Sequence, residues 1–474
     1  MATVRSLNSS ASKVISDDDI ASLRASLRGG VYLEGSAEYD EGRLIWNAMV
    51  DRKPGMVIRA RGASDIRQAV NFARDHGLLM SVRSGGHQIA GHSVADGAIM
   101  LDLSHMRSVH IDPATKVARI EPGALLGDID REAQAHALAL PVGVNSITGI
   151  AGLTLGGGFG WLTRKHGMTI DNMISADLVT ADGSFVRASA TENPDLFWAI
   201  RGGGGNFGVV TSFEFRLHDL GPQVLAGPIV FPIANARTIL KQFDALMRSA
   251  PDELTVWVVI RKATPAPFLP AEWVGKPVLI FSSCYAGDMA EGEKVIANLR
   301  ALGTPVADEV KPTFWTKWQT AHDAGLTPGF RNYWKSQDLD EISDGAISVF
   351  LASIDSAPDA DCEVFLAQVG GAMVRIPNEA TAYPHRAAHF IMNVHARWEV
   401  AAQDDACIAW ARKFIDDMSE YAVGSLYVNF MPEDDVTRVS GAYGEHMDRL
   451  RDIKTKFDPQ NLFRLNHNIV PRAD

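Results

Sequence analysis

The sequence predicts an α+β fold in two unequal parts, on three observations. Residues 51–220 mix short strands with one clear helix and several glycine-rich loops. From Gly221–Pro222 to about residue 420 the texture changes to long strands alternating with helices, which fits an antiparallel sheet covered by helices on one face. The chain has 474 residues, 46% of them hydrophobic and 22% charged, which is enough apolar surface for two or three cores.

The elements follow in order. Residues 1–50 read as an N-terminal helical lead, polar at first, with a short helix near Asp17–Leu27. Val57–Arg59 reads as a strand. Ser64 is placed to cap a helix whose Ile66, Ala69, Val70 and Ala73 follow helical spacing. Leu79–Val82 is the next strand and ends in a glycine loop. VADGAIMLDLS, which follows that loop, reads as another strand, so a Rossmann start, which needs a helix directly after the glycines, is excluded. SVHIDPATKVARIEPGA reads as a hairpin turning at Asp112–Thr115. Residues 421–474 are expected to supply another strand at LYVNF, a helix and a terminal turn.

Composition excludes several functions. The formal net charge is −12 with no block of Lys or Arg, a poor match to nucleic acid or an anionic membrane. Cys284, Cys362 and Cys407 are odd in number and far apart, which argues against a disulfide framework and a zinc site. No metal is expected. The opening MATVRSLNSSASK has no apolar core behind its basic residues, so no signal peptide is read and a cytoplasmic location is expected.

Three glycine clusters carry the strongest local signal. In Gly149–Gly160 six of twelve residues are glycine. Such a loop lets backbone lie against a ligand, and its successive N–H groups can nest an anion such as a pyrophosphate. Arg83-Ser84-Gly85-Gly86-His87 ends a strand with glycines and sets a histidine beside whatever they hold, and Arg201–Gly208 feeds the strand VVTSFEF. Three such loops, without a P-loop lysine, suggest a large dinucleotide held along its length.

These residues bring a family into view. The chain from about Pro54 to Pro471 resembles the berberine bridge enzyme-like flavoproteins of the vanillyl-alcohol oxidase superfamily. The motifs are RSGGH at 83–87, TGIAGLTLGGGFGWLTRKHG at 148–167, DN at 171–172, NPDLFWAIRGGGGNFGVVT at 193–211, LYVNF at 426–430 and FDPQNLFRLNHNI at 457–469. The resemblance implies an FAD-binding domain of the PCMH type at 51–220, an inserted substrate-binding domain at 221–420, and a C-terminal segment, 421–474, that returns to the FAD domain. It implies FAD bonded through its 8α-methyl group to His87. It places the cofactor along Arg83, Ser84, Gly85, Gly86, Gln88 and His92, and then along Asn145, Thr148, Gly149, Gly152, Leu155, Gly156, Gly157, Gly158, Gly160 and Gly167. Asn172, Gly208 and Val209 follow, and Asn429, Asn466 and Asn468 close over it from the tail. Doubly attached members carry a cysteine at the position of Asn145, so no second cysteinyl link is expected. That implies a lower flavin potential and a less open site.

Oxidation at a flavin needs a hydride acceptor and a base. Alternation along HFIMNVHARW puts Ile391, Asn393, His395 and Arg397 on one face, either facing the flavin or as a polar outer face. His395 is the candidate base and Arg397 the candidate holder of an anion, oxyanion or carbonyl group. Tyr427 is a candidate acid or base sharing a strand face with Asn429, or else an aromatic packed beside the cofactor. Tyr333 and Lys335 are further candidates to reach the pocket. Berberine bridge enzyme has a glutamate where this chain has Arg397, and cannabinoid-cyclising relatives a tyrosine where it has Phe430, so neither of those mechanisms transfers. The resemblance therefore implies an FAD-dependent oxidase or dehydrogenase, taking hydride from an alcohol, sugar, amine or secondary metabolite. A sugar-lactone dehydrogenase and a flavin-binding protein without turnover are the alternatives. The electron acceptor (O2 or another) stays open, as does the choice between monomer and homodimer.

Overall fold

A computed structural model describes residues 1–435 and 438–473, so the C-terminal segment is followed except at 436, 437 and 474. The expected helical lead needs correction. Its helix, Asp17–Ser26, is capped by the Ser16 hydroxyl. But Ala2–Arg5 and Ser12–Ile15 form an antiparallel hairpin, and Gly30–Tyr32 is a strand. The polar text hides a sparse set, Val4, Ile15 and Ile20, buried in one core with Ile58, Val70 and Ile99.

That core lies under a four-stranded sheet ordered Gly30–Tyr32, Met56–Arg59, Ile99–Asp102, Met80–Arg83. The last three strands are parallel, and the two central ones are buried at all four positions, as parallel strands covered on both faces must be. Helix Ala63–His76 makes the crossover and turns Ile66, Ala69, Val70 and Ala73 inward. Ser64 does not cap it; the helix starts behind Gly62, which offers no side chain. Asp65 ties down that end instead, accepting from the N–H groups of Arg28, Gly29 and Arg61.

A second sheet is antiparallel: Phe185–Ser189, Met173–Val179, Val209–Arg216, Val117–Ile120, Val109–Asp112. A third, also antiparallel, occupies residues 223–398. Its long strands run Gln223–Pro232, Pro277–Tyr285, Leu254–Lys262, Glu363–Gln368, Phe390–Trp398 and, at the edge, Arg331–Leu339. Helices Ala236–Met247, Met289–Arg300, Asp344–Asp355 and Asp404–Met418 cover one face, burying Phe243, Leu299, Phe350 and Phe414. Each such side chain contributes about 1.5–3 kcal/mol. The period of two sends Phe390, Met392, Val394 and Ala396 to those helices and Ile391 to the opposite core. The architecture is thus the α+β one expected.

The C-terminal segment returns to the second sheet, where Leu426, Leu450, Ile453 and Ile469 join its core. The expected strand at LYVNF is not formed; Val428–Phe430 is a single 3-10 turn. Lys454 anchors the tail, its buried Nζ donating to Asp458 (2.6 Å) and to the carbonyls of Asn206 and Phe463. Among the described residues no helix is long and apolar enough to cross a membrane.

Asp130, on helix Leu126–Gln134, joins the second sheet's layer to the inserted part. It accepts from Trp315 Nε1 (3.0 Å) and Gln319 Nε2 (3.1 Å). Burial pushes its pKa up to about 7 against the opposition of both hydrogen bonds. A value raised above the ordinary 3.8 means the fold favours the neutral acid. The contribution is full below about pH 4 and is lost as pH climbs through about 7. Asp130→Asn is therefore expected to flatten the decline in melting temperature across that interval. Parallel curves for variant and native protein would refute it.

Candidate active site

The first glycine loop leaves strand Met80–Arg83 and meets the second loop backbone to backbone. A Cβ on Gly85 would stand 2.5 Å from the amide nitrogen of Gly149, and one on Gly149 would overlap Gly85. Only glycine permits this approach. Above the contact opens a cleft of about 310 Å³, closed by the third glycine loop, the tail and the uncovered face of the large sheet. Ser84, Gly85, Gly86, His87, Gln88 and His92 line it, as do Asn145, Thr148, Gly149, Gly152 and Leu155. Gly208, Val209, Asn429 and Asn466 complete the expected set that the structure brings together.

The other expected cofactor residues lie off the cleft wall. Arg83 turns away to donate to the Gly42 carbonyl (2.6 Å). Gly156 packs on Asn429, Gly157 on Met168 and Tyr427, Gly158 on Thr169, and Gly160 on the Val142 carbonyl. These glycines are there because protein presses on them. Gly167 abuts Asp171 with φ +81°. Asn172 bridges the carbonyls of His166 and Met168 to the ring of His218. Asn468 is half-buried outside the lining.

His87 stacks on Trp46, ring centres 4.4 Å apart. Burial, aided by the charge of Arg397, pushes its pKa down to about 4, and its Nε2 has no hydrogen-bond partner. It is a neutral imidazole on the cleft wall. His92 and His467 are also neutral through burial, at about 4 and about 3, and Gln88 meets His467 Nε2 at 2.8 Å.

The far end is aromatic, with Phe159, Trp257, Trp334, Phe365 and Phe430 facing inward. His395 stacks on Trp334 at 4.0 Å. Its Nδ1 lies 3.5 Å from Glu363 Oε1, and its Nε2 is buried and unpartnered. Burial lowers the pKa of His395, and Glu363 resists that shift. Tyr427 belongs to the wall, but not on a strand face. Its hydroxyl accepts from Gly158 N (2.9 Å) and Asn429 Nδ2 (3.0 Å), and burial raises its pKa to about 12. Three other candidates lie off the cleft wall. Tyr333 and Lys335 have the wrong parity and point into the helix-covered side, where Tyr333 donates to Asp434 and Lys335 pairs with Asp435. Arg397 stacks on Phe330 at 3.8 Å and donates to Thr327, behind the wall. Among the described residues no Asp, Glu, Lys or Arg lines the cleft.

Comparison with known proteins agrees with this geometry. Residues 54–189 match the model of an FAD binding domain, and residues 426–470 match that of the berberine and berberine-like group. The chain is 32% identical over 463 residues to the (R)-6-hydroxynicotine oxidase of Paenarthrobacter nicotinovorans, covering 94% of this chain and 98% of that protein. The chain belongs to the berberine bridge enzyme-like family of FAD-linked oxidoreductases. A crystal structure of 6-hydroxy-D-nicotine oxidase from Arthrobacter nicotinovorans superposes with a TM-score of 0.85 at 30% identity, covering 94% of this chain and 99% of that one. A glucooligosaccharide oxidase from Acremonium strictum, described with a 6-S-cysteinyl, 8α-N1-histidyl FAD, shares the fold at 24% identity, with a TM-score of 0.85, covering 96% of this chain and 100% of that one.

A family member of this kind is an FAD-dependent oxidoreductase acting on a small organic substrate, and its cleft suits that cofactor. The backbone cradle is bare, and a Cβ on Gly152 or Gly205 would meet no protein atom within 4 Å. The three cysteines are buried away from the cleft wall. Sequence reasoning missed Trp46, Trp334, Glu363 and His467. The parity that selects His395 also selects Trp334 once the two strands are paired, but that pairing is not written in either strand alone. Gly152→Leu is expected to fold yet carry less than a tenth of the native flavin, because the side chain would fill open cleft. Native flavin absorbance per chain would contradict this placement.

Proposed function

We propose that the protein bonds FAD through His87 and oxidises an uncharged, ring-bearing small molecule at a carbon that carries nitrogen or oxygen. The observation behind the substrate class is the uncharged aromatic wall. A charged substrate would lose its hydration there without gaining a partner, whereas a ring would gain stacking partners. Support for the small-molecule class comes from the relative named for 6-hydroxynicotine. Support for attachment comes from the neutral imidazole of His87, held against Trp46 beside the glycine cradle, and from the histidyl linkage named for the Acremonium strictum enzyme.

Bound FAD supplies the hydride acceptor. His395 accepts the proton from the substrate O–H or N–H at Nε2. The substrate thereby loses one proton and one hydride, two electrons in all. The aromatic wall excludes water, so the positive charge forming on His395 meets Glu363 in a medium of low dielectric. Arg397, behind Phe330, biases the electrostatics without touching the substrate.

Three measurements test this reading. Acid-denatured native protein is expected to show flavin fluorescence in its gel band, and His87→Ala is not. A native band without fluorescence would rule out attachment. In anaerobic flavin bleaching, a neutral aryl alcohol or amine is expected to react at least about 100-fold faster than its carboxylated analogue, about 3 kcal/mol of discrimination; equal rates would remove the substrate class. His395→Gln is expected to slow flavin reduction about 10²- to 10⁴-fold, and a native rate would remove His395 as the base.

A further inference from the structure

One rung of the large sheet runs straight into the cleft. Arg261 lies directly opposite Glu363, Glu363 opposite His395, and His395 opposite Trp334, on four adjacent strands. Neighbours directly opposite on one face of a sheet interact through their side chains. Arg261 Nη1 donates to Glu363 Oε2 at 2.8 Å, and its Nη2 pairs with Asp361 at 3.1 Å. The other oxygen of Glu363 faces His395 Nδ1 at 3.5 Å. That is long for a hydrogen bond but close for an ion and a ring N–H in a buried site. His322, its pKa lowered by burial, also lies near Glu363, and Arg397 opposes protonation of His395. His395 also meets the rings of Trp334, Phe365 and Phe430.

We infer that Glu363 is a positioning residue for the oxidation, holding the His395 ring proton on Nδ1 so that Nε2 meets the substrate bare. The inference rests on the reading of His395 as the base. Burial alone would raise the pKa of Glu363, but Arg261 and then His395 hold it down to about 2, so the carboxylate is ionised throughout the working range. An ionised carboxylate beside Nδ1 selects one tautomer and stabilises the imidazolium as it forms, which is how a third group commonly serves a histidine base.

The test is rapid-reaction flavin reduction across pH with Glu363→Gln, Glu363→Asp, His395→Gln and the double variant Glu363→Gln/His395→Gln, all on flavin-loaded protein. Glu363→Gln is expected to slow reduction about 10- to 100-fold, with substrate affinity from the same titrations nearly unchanged. Its acidic limb is expected to move to lower pH, because loss of the carboxylate weakens proton binding at His395. Glu363→Asp keeps the buried charge of the Arg261 pair and is expected to recover part of the rate and part of the limb. The double variant is expected to be no slower than His395→Gln alone. A native rate and native limb in Glu363→Gln, or losses that multiply in the double variant, would overturn the inference while leaving His395 in place. A native rate in His395→Gln would overturn the base itself and this inference with it.

Discussion

The backbone contact between Gly85 and Gly149 is the constraint on which the rest of the molecule depends. Gly85 is fixed by strand Met80–Arg83 of the parallel sheet, and Ser84 Oγ donates to the Pro122 carbonyl at 2.6 Å. Gly149 is fixed from the other side, where Leu126 N reaches Thr148 O and Ile150 N reaches Ala124 O. The two smaller sheets therefore meet where no side chain can stand. Gly86, at φ +64°, then turns the chain, and His87 lands on Trp46. A side chain at either glycine would push the sheets apart, open the cleft floor and release His87 from its stack at one stroke.

Charge is arranged around this floor in a second layer. The wall carries none, yet close behind it Arg261 pairs with Glu363, Arg386 with Asp171 and Lys454 with Asp458. Buried pairs of this kind give little net stability, since desolvation offsets most of their attraction. Their value here lies in location. Lys454 pins the tail whose Asn466 and His467 close the cleft, and Arg386 holds the turn at Asp171 under the second glycine cluster. The charges stabilise positions while leaving the cavity itself free of counter-ions that would draw in water.

The sequence makes the glycine loops, the α+β texture and the alternation of Phe390–Trp398 legible because each is a local pattern. It is less legible where a residue's partner is distant in the chain. Gly156, Gly158 and Gly160 look like ligand glycines, yet they are small because Asn429, Thr169 and Val142 press on them. The hairpin Ala2–Arg5/Ser12–Ile15 is missed because most of its residues are exposed and its apolar spacing is short. Ser64 looks like a cap, but the helix has no side-chain cap, and Asp65 ties its start to Arg28 and Gly29 instead. Glu363 carries no local sign of function at all; its meaning comes from strand register, which brings Arg261 and His395 to either side of it.

Parity along two strands decides which chemistry the cleft receives. On Arg331–Leu339 the even positions around Trp334 face the cleft, while Tyr333 and Lys335 face the helices, among partners suited to them: Arg412, Asp434 and Asp435. On Phe390–Trp398 the odd positions around His395 face the cleft, because Met392, Val394 and Ala396 are needed in the helix-covered core. A slip of one residue in either strand would exchange the two faces completely. It would drive Lys335 toward the aromatic cage and bury His395 beneath the helices. The apolar side chains under the helices thus do more than hold the sheet. By fixing register, they choose an imidazole and an indole, rather than an ammonium and a phenol, as the groups that meet the substrate.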